Sequence, residues 1–193
     1  MCGRYYIDSD LAKEVQKVIS EKHKKLRFEE KDIFPGSKGV VLMPEKSEIL
    51  PKEIFWGFPG KEKSRLIINA RSETALQKPM FSECLSHRRC IIPARSFYEW
   101  DRSKNKVTYS LDTNEAIYLA GIYSIFNNEV CFTILTTAAN ASVSNVHNRM
   151  PVVINQNNIS EWLFDDENAV KLISNEMPMF VAKRDYEQLS LPL

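Results

Sequence analysis

A cysteine that follows the first methionine could supply two nucleophiles. The chain begins Met1-Cys2-Gly3-Arg4. Methionine is usually removed when the next residue is small, so Cys2 would carry a free α-amine, partly neutral at cell pH because its pKa is about 7.7 to 8.0. The amine forms a Schiff base with an aldehyde. The thiol, whose pKa of about 8.5 a cation such as Arg4 would lower, can then close onto the imine carbon as a thiazolidine. The alternative is a cysteine that only packs in the first strand.

A second polar stretch, residues 69–74, reads Asn-Ala-Arg-Ser-Glu-Thr at a predicted strand-to-helix junction. The N–H groups of a helix N-terminus attract anions, and Arg71 could clamp a phosphate there. The alternative is a capping arrangement in which Asn69 or Ser72 satisfies the helix start.

A third stretch, residues 95–100, places a glutamate among aromatic residues. Strand alternation puts Phe97 and Glu99 on one face and Tyr98 and Trp100 on the other. Partial burial would raise the pKa of Glu99 towards the range of a general acid. The alternative is an exposed strand glutamate.

The fourth stretch, residues 146–151, contains His147 in a loop between two apolar strands, where functional sites are often built. The alternative is a buried loop histidine with its hydrogen bonds satisfied. The pattern Cys84-x2-His87-x2-Cys90 lacks a fourth ligand at the usual spacing for zinc. We therefore expect no metal and no cofactor.

The elements that would position these residues predict an α+β fold. A helix is predicted from Leu11 that ends before Phe28, with one apolar face. Strands are predicted at residues 40–43, 53–58, 89–100 (with Pro93 at a bulge or edge), 117–126, 130–137, 151–154 and 178–182, and short helices at 159–164 and 167–173. Many short strands with few helices suggest a sheet-rich core that can close on itself. One domain spanning residues 1–193 is the economical interpretation.

Composition restricts the functional classes only weakly. The 193 residues carry a formal charge of +1, so charge neither requires nor excludes a nucleic-acid partner. No apolar run has the roughly 20 residues of a membrane span, and no secretory signal is visible. We expect a cytoplasmic protein with no membrane partner, monomeric, and associated with the nucleoid when on DNA. Without secretion, the four cysteines do not argue for disulfides.

Taken together, the four stretches and a Trp-Gly-Phe element at residues 56–58 resemble the SRAP domain family in order and spacing. These are the SOS response-associated peptidases, also called abasic site processing proteins. The resemblance runs from Cys2 to about Ile154. It implies the SRAP fold, a sheet-rich and partly barrel-like core flanked by short helices.

The family resemblance also implies a function in DNA damage repair and the SOS response. In the family, the N-terminal cysteine captures the ring-opened aldehyde of an abasic site in single-stranded DNA as a thiazolidine crosslink. Cys2 would be the nucleophile, and Asn69 would hold the cysteine and the sugar. Glu99 would shuttle protons in ring opening and crosslink reversal, and His147 would assist imine formation. Strand cleavage by β-elimination (lyase activity) is a natural side reaction of the Schiff base.

By the same resemblance, several residues would contact DNA. Arg71 and Arg149 would grip the phosphates beside the lesion, with Arg4 in a lesser role. Trp56 and the Phe58-Pro59 corner would stack on a base or wedge the strand. Pro35 and Met150 fall in family motifs and would also contact DNA. The loop at residues 32–36 keeps the family's proline but lacks its asparagine.

Two other functions stay open at this point. One is amide or peptide hydrolysis by Cys2 as an N-terminal nucleophile, which includes self-removal of Met1. The other is a non-catalytic module for single-stranded DNA, in which Arg71, Arg149 and Trp56 matter and Cys2 does not. Substitution of Cys2 separates these functions, because only a simple binder would be indifferent to it.

Overall fold

A computed structural model of the protein describes residues 2–23, 25–60, 62 and 65–184. In this part of the chain the strands are β1 Tyr5–Ile7, β2 Lys31–Ile33, β3 Lys38–Glu45, β4 Glu48–Trp56, β5 Phe58–Pro59, β6 Leu66–Ile67, β7 Asn69–Arg71, β8 Arg89–Ala94, β9 Ser96–Trp100, β10 Lys106–Ser110, β11 Ile117–Phe126, β12 Glu129–Ala138, β13 Arg149–Pro151 and β14 Val181–Arg184. The helices are α1 Leu11–Val15, α2 Ser72–Ala75, α3 Pro79–His87, α4 Ile159–Phe164 and α5 Asp166–Leu172, with 3-10 turns at Glu21–His23 and Gln156–Asn158. None of these helices is both long and apolar enough to cross a membrane.

Five strands close into a barrel. The order runs β8, β3, β4, β12 and β11, and β11 pairs with both β12 and β8, so the ring has no free edge. All pairs are antiparallel except β4 with β12. The predicted sheet-rich, barrel-like α+β core is confirmed.

The second sheet carries the start of the chain. Its five strands lie in the order β14, β10, β9, β1 and β2, all antiparallel. Because β1 lies between β9 and β2, the residues just before Tyr5 lie beside β9. Alternation along β1 and β9 turns Tyr5, Phe97 and Glu99 inward, where each is at most 2% exposed.

The chain crosses between the two sheets at Arg95, where one strand was predicted. Arg95 is buried and its guanidinium pairs with Asp8 at 2.8 Å and with Glu14 at 2.8 Å. This ion triad lies at the point where β8 ends and β9 begins. Pro93, where a bulge or edge was expected, lies within β8 opposite Tyr118. The expected position of the break was therefore wrong by two residues.

The end of the chain departs from expectation in two places. The strand predicted at residues 151–154 is β13, which ends at Pro151, followed by one bridge from Val153 to Leu119. The last strand begins at Val181, not at residue 178. Asn140 Nδ2 binds the carbonyl oxygens of Met177 and Pro178, which keeps this segment out of the ladder.

The first helix is shorter than predicted, since α1 ends at Val15 and is followed by a 3-10 turn at Glu21–His23. The strand predicted at residues 53–58 is divided at Gly57, whose φ is +121°, into the end of β4 and the start of β5.

The hairpin and the two later helices hold. The β11–β12 hairpin turns at Asn127 and Asn128, both with positive φ, as its type of turn requires. The helices at Ile159–Phe164 and Asp166–Leu172 lie where the apolar pattern predicts them. Buried apolar residues of the barrel, the second sheet and the helices form one continuous cluster. The one-domain interpretation stays a prediction, and its residues 185–193 lie outside the described part.

Candidate active site

Cys2 lies fully buried at the junction of the two sheets. Its carbonyl oxygen accepts a hydrogen bond from Asn69 Nδ2 at 2.9 Å, and its Sγ lies 3.8 Å from the carbonyl oxygen of Arg4. Tyr98 N–H donates to the same Arg4 oxygen at 3.0 Å, which ties the segment to β9. Cys2 is therefore fixed from both sheets.

Asn69 reaches Cys2 because of strand pairing within the barrel. It begins β7, which runs parallel to β12 with Asn69 opposite Ile134. Asn69 Oδ1 is buried and has no hydrogen-bond partner among the described residues. A buried carbonyl of this kind can accept an N–H or O–H without first giving up another contact.

The Cys2 thiol is not activated. Burial raises its pKa far above the ordinary value, and the negative charge of Glu99 raises it further. Arg4 lowers this pKa through the contact of its backbone carbonyl oxygen with the thiol, and not through the charge from which we expected the effect. Arg4 instead lies 3.6 Å from Asp32 and over aromatic rings, so its charge is directed away from the thiol.

Glu99 is buried beneath Cys2, with 2% of its surface exposed. Burial raises its pKa above the ordinary value, and the nearby His147 opposes the rise. The burial and the direction of the shift agree with the sequence interpretation. A carboxyl group in this state keeps a proton to higher pH than an exposed glutamate does and can act as an acid.

His147 is half-buried and held by the backbone of Arg149. Its Nδ1 lies 3.0 Å from the backbone nitrogen of Arg149 and 3.2 Å from the carbonyl oxygen of the same residue. Glu99 lies close enough to both His147 and Cys2 for their charges to interact.

Arg149 forms a bidentate ion pair with Glu73. Its Nη1 and Nη2 lie 2.7 and 2.8 Å from the two carboxylate oxygens, and Nη2 also donates to the carbonyl oxygen of Thr136 at 2.6 Å. The guanidinium lowers the pKa of Glu73. A phosphate would have to compete with Glu73 for these donors.

Arg71 is exposed beside a groove of about 480 Å³ that begins at Asn69. Lys78, a second exposed cation, lies on the same groove, which is lined by Ile67, Asn69, Arg71, Thr74, Lys78, Met80 and Phe81. In β12, Thr136 pairs with Arg71 on one side and with Pro151 on the other. This pairing places the Arg71 and His147 segments on the two sides of one strand.

One protein-family model matches nearly the whole chain. Residues 1–188 match the model of the SOS response associated peptidase (SRAP) family. The chain belongs to the SRAP family. The SRAP resemblance drawn from the four sequence stretches is therefore confirmed.

Several SRAP relatives carry functional names. YoqW of Bacillus subtilis is 33% identical over 147 residues, which cover 68% of this chain and 65% of that protein. YobE of the same species is 38% identical over 147 residues, covering 68% and 67%. Both are named abasic site processing proteins. The match thus spans less than two-thirds of the length of YoqW.

Solved structures share the fold. One from Bordetella bronchiseptica has a TM-score of 0.77 at 21% identity and covers 96% of this chain and 100% of that one. One from Bacteroides thetaiotaomicron has a TM-score of 0.77 at 18% identity, covering 95% and 91%. At these identities the likeness concerns the SRAP fold alone.

Three residues expected to contact DNA in this SRAP chain are buried, which corrects the expectation. Trp56 is fully buried, stacks on Phe132 at 6.1 Å, and donates from Nε1 to Ile68 O at 3.0 Å. Phe58 and Met150 are also fully buried. None of the three offers a face to a base, because all three side chains pack in the hydrophobic core.

The other expected DNA contacts lie at the surface. Pro59 is exposed and Pro35 is half-buried. The possible zinc pattern is dispersed, since His87 pairs with Asp166 at 2.8 Å while Cys84 and Cys90 are buried in the core. Among the described residues no group of three or more His, Cys, Asp or Glu side chains could hold a metal ion.

Two residues of the SRAP site were missed from the sequence. Glu73 lies within the Asn-Ala-Arg-Ser-Glu-Thr stretch, but its partner Arg149 is 76 residues away. Lys78 directly precedes α3 and shares the groove with Arg71. The only available signal was the position of each residue close to a predicted motif.

Proposed function

We propose that this protein captures abasic sites in single-stranded DNA as a thiazolidine at Cys2. The observation that carries the proposal is that Asn69 binds the Cys2 carbonyl oxygen while the buried Glu99 lies close enough to Cys2 and to His147 for their charges to interact. The names of the SRAP relatives as abasic site processing proteins support the substrate class. The proposal requires that Met1, which lies outside the described residues, is removed.

The chemistry begins at the amine. The neutral α-amine of Cys2 adds to the sugar C1′ aldehyde and the adduct loses water, which gives an imine. The S–H of Cys2 then adds across the C=N bond: sulfur bonds to C1′ and the thiol proton ends on nitrogen. Aldehyde plus aminothiol thus becomes thiazolidine plus one water. A thiol that stays protonated at neutral pH is consistent with this order.

The surrounding groups divide the proton transfers. Glu99, whose pKa burial raises, donates a proton from its acid form as the sugar ring opens and can take part in reversal. His147 assists the loss of the hydroxyl group as the imine forms. Asn69 holds the Cys2 carbonyl, and its Oδ1 is available to the freed amine.

The strand would be positioned by its phosphates. Arg71 and Lys78 are exposed on the groove that begins at Asn69, and phosphate contacts position a strand without reading its sequence. Arg149 contributes where a phosphate displaces Glu73. The imine also acidifies the C2′ proton, so β-elimination competes with ring closure as a side reaction.

The raised thiol pKa argues against the amidase alternative. Attack on an amide by cysteine requires the thiolate, whereas burial and Glu99 disfavour the thiolate of Cys2. An aldehyde reacts first with the amine, and so places no such demand on the thiol.

The test is covalent capture of a labelled single-stranded oligonucleotide with one abasic site, followed on a denaturing gel. Wild type and a control, Cys131→Ser, are expected to give a stable adduct. Cys2→Ser and Cys2→Ala keep the α-amine, so both should give an adduct only after borohydride reduction of the imine. Cys131 is a matched control because it is also a buried cysteine, with 7% of its surface exposed, and it lies near the start of β12.

A stable unreduced adduct of Cys2→Ala at the wild-type level would overturn the proposal. So would the failure of wild type to form an adduct although Met1 is absent. Cleavage of a small amide that depends on Cys2 would instead support the amidase function.

A further inference from the structure

The guanidinium of Arg4 is enclosed by aromatic rings on the surface beside Cys2. It lies 4.5 Å from the ring centroid of Phe34, 5.2 Å from that of Trp100 and 5.7 Å from that of Tyr98. Its charge is balanced by Asp32 at 3.6 Å. Arg4 is therefore already engaged, which makes it a poor phosphate ligand.

Strand register builds this cluster. Tyr5 pairs with Ile33 in β2 and with Phe97 in β9. The next residues along these strands, Phe34 and Tyr98, therefore flank Arg4. Tyr5, Ile33 and Phe97 are buried, so alternation directs the cluster to the opposite, outer face of the sheet.

Phe34 is the exposed ring of the cluster, with 45% of its surface accessible. Arg4 covers one face of the ring, so the accessible surface lies on the other side. A tight turn holds the residue, because Ser37 Oγ donates to the Phe34 carbonyl oxygen at 2.6 Å and Ser37 N–H donates to it at 3.1 Å. Gly36, whose φ is +82°, completes the turn, and its N–H donates a hydrogen bond to the carbonyl oxygen of Trp56 at 2.8 Å.

We propose that Phe34 is a stacking platform for the nucleobase next to the captured sugar. Arg4 is two residues from Cys2, so their Cα atoms are at most about 7 Å apart. The platform is thus within reach of a neighbouring nucleotide. This inference rests on the proposed function, since capture at Cys2 is what places the strand there.

A nucleobase fits this surface better than a phosphate does. The Arg4 charge is neutralised by Asp32, whereas the exposed cations Arg71 and Lys78 lie on the groove. Stacking is tolerant of sequence because every base has a π-face. A ring that is already held by a turn also loses little conformational entropy on binding.

The proposed stacking role of Phe34 was expected of other residues from the sequence. Trp56 and Phe58, expected to stack, are fully buried. In the described part of the chain the exposed phenylalanines are Phe34 and Phe164. Phe164 ends α4, away from Cys2, and is therefore a matched control.

The test measures non-covalent binding by fluorescence anisotropy with two single-stranded oligonucleotides. Both contain a central tetrahydrofuran, an abasic analogue without an aldehyde. In one oligonucleotide its neighbours are adenines, and in the other they are also tetrahydrofurans. Wild type should prefer the adenine-flanked strand by about fivefold or more.

Phe34→Ala should lose this preference by weakening only the adenine-flanked complex, whereas Phe34→Trp and Phe164→Ala should keep it. An equal loss for both strands, an unchanged preference in Phe34→Ala, or no preference in wild type would overturn the inference. Thermal unfolding of each variant checks that the fold is retained. Because no aldehyde is present, the outcome does not depend on adduct formation, and failure of covalent capture is a separate result.

Discussion

At the residue scale, the reactivity of Cys2 depends on its position and not on the acidity of its thiol. Burial and Glu99 both keep the thiol protonated. Arg4, the cation that was expected to stabilise the thiolate, is directed towards Asp32 and Phe34 instead. What remains is the proposed pairing of a free amine with a neighbouring S–H, for which an aldehyde is the matching electrophile.

Glu99 gives a prediction on pH. Its raised folded pKa means that the protonated acid persists above the ordinary glutamate pKa of about 4.3 and is lost as pH rises through the folded value. Glu99→Gln should slow capture about a hundredfold or more, the usual contribution of a general acid. It should also remove the ionisation of this group from the rate profile, measured by single-turnover gels from pH 5 to 9.

If Glu99→Gln retained the wild-type rate and pH profile, Glu99 would have no role in proton transfer. His147→Gln is a useful comparison. It removes one of the groups that lower the pKa of Glu99. The part of the pH-rate profile that reports the ionisation of Glu99 should therefore move to higher pH.

Glu73 gives a prediction on salt dependence. It neutralises Arg149 through two charge-assisted hydrogen bonds, so Glu73→Gln leaves the guanidinium free to bind a phosphate. Binding to single-stranded DNA should tighten, and the slope of log K against log salt should steepen by about 0.7, the value of one phosphate contact. Titrations at several salt concentrations measure it.

A slope in Glu73→Gln equal to that of wild type would show that Arg149 does not approach the strand. Arg149→Met in the same background is the control. It should return the slope to the wild-type value.

At the element scale, β1 passes over β3 with almost no space between them. A Cβ added at Gly39 would collide with the hydroxyl oxygen of Tyr5. That hydroxyl is buried and without a hydrogen-bond partner among the described residues. Gly39→Ala should therefore destabilise the protein by about 1–3 kcal/mol, the usual cost of overpacking.

Tyr5→Phe tests the cause directly. It removes the colliding oxygen, so the double variant should recover most of the lost stability in urea unfolding, and Tyr5→Phe alone should be neutral or stabilising. Additive losses in the double variant would mean that the close approach of these strands does not explain the effect.

The elements also show what the sequence could reveal. The Asn127-Asn128 hairpin and the burial of Glu99 follow from local signals, namely turn residues and strand alternation. The burial of Trp56 and Phe58 does not. Both faces of that stretch are apolar, and only closure of the barrel through β12 decides which side is inside.

The pairing of distant residues was equally hidden. The family resemblance implied that Arg149 grips a phosphate, yet its partner Glu73 comes from a strand-helix junction 76 residues earlier. Phe34 reads as a loop residue until the register of β1 with β2 brings it against Arg4. Local sequence patterns therefore predicted which stretches carry reactive residues, whereas the contacts of Arg149 and Phe34 depend on strand pairing between distant parts of the chain.

At the scale of the whole molecule, a formal charge of +1 predicts weak attraction to intact DNA. With Arg71 and Lys78 as the main phosphate contacts, the salt slope on single strands should be about −1 to −2. Anisotropy titrations from 50 to 300 mM salt would measure it. A slope steeper than about −4 would reveal a larger basic surface than this site provides.

The central claim is that Cys2 becomes the first residue and that its aminothiol forms a ring with the abasic aldehyde. The most direct measurement is the intact mass of the purified protein, before and after mixing with a single-stranded oligonucleotide that carries one abasic site. The account predicts that Met1 is absent and that the mass rises by one oligonucleotide less one water, with no rise for Cys2→Ala. A protein that has lost Met1 and still gains no mass would contradict it.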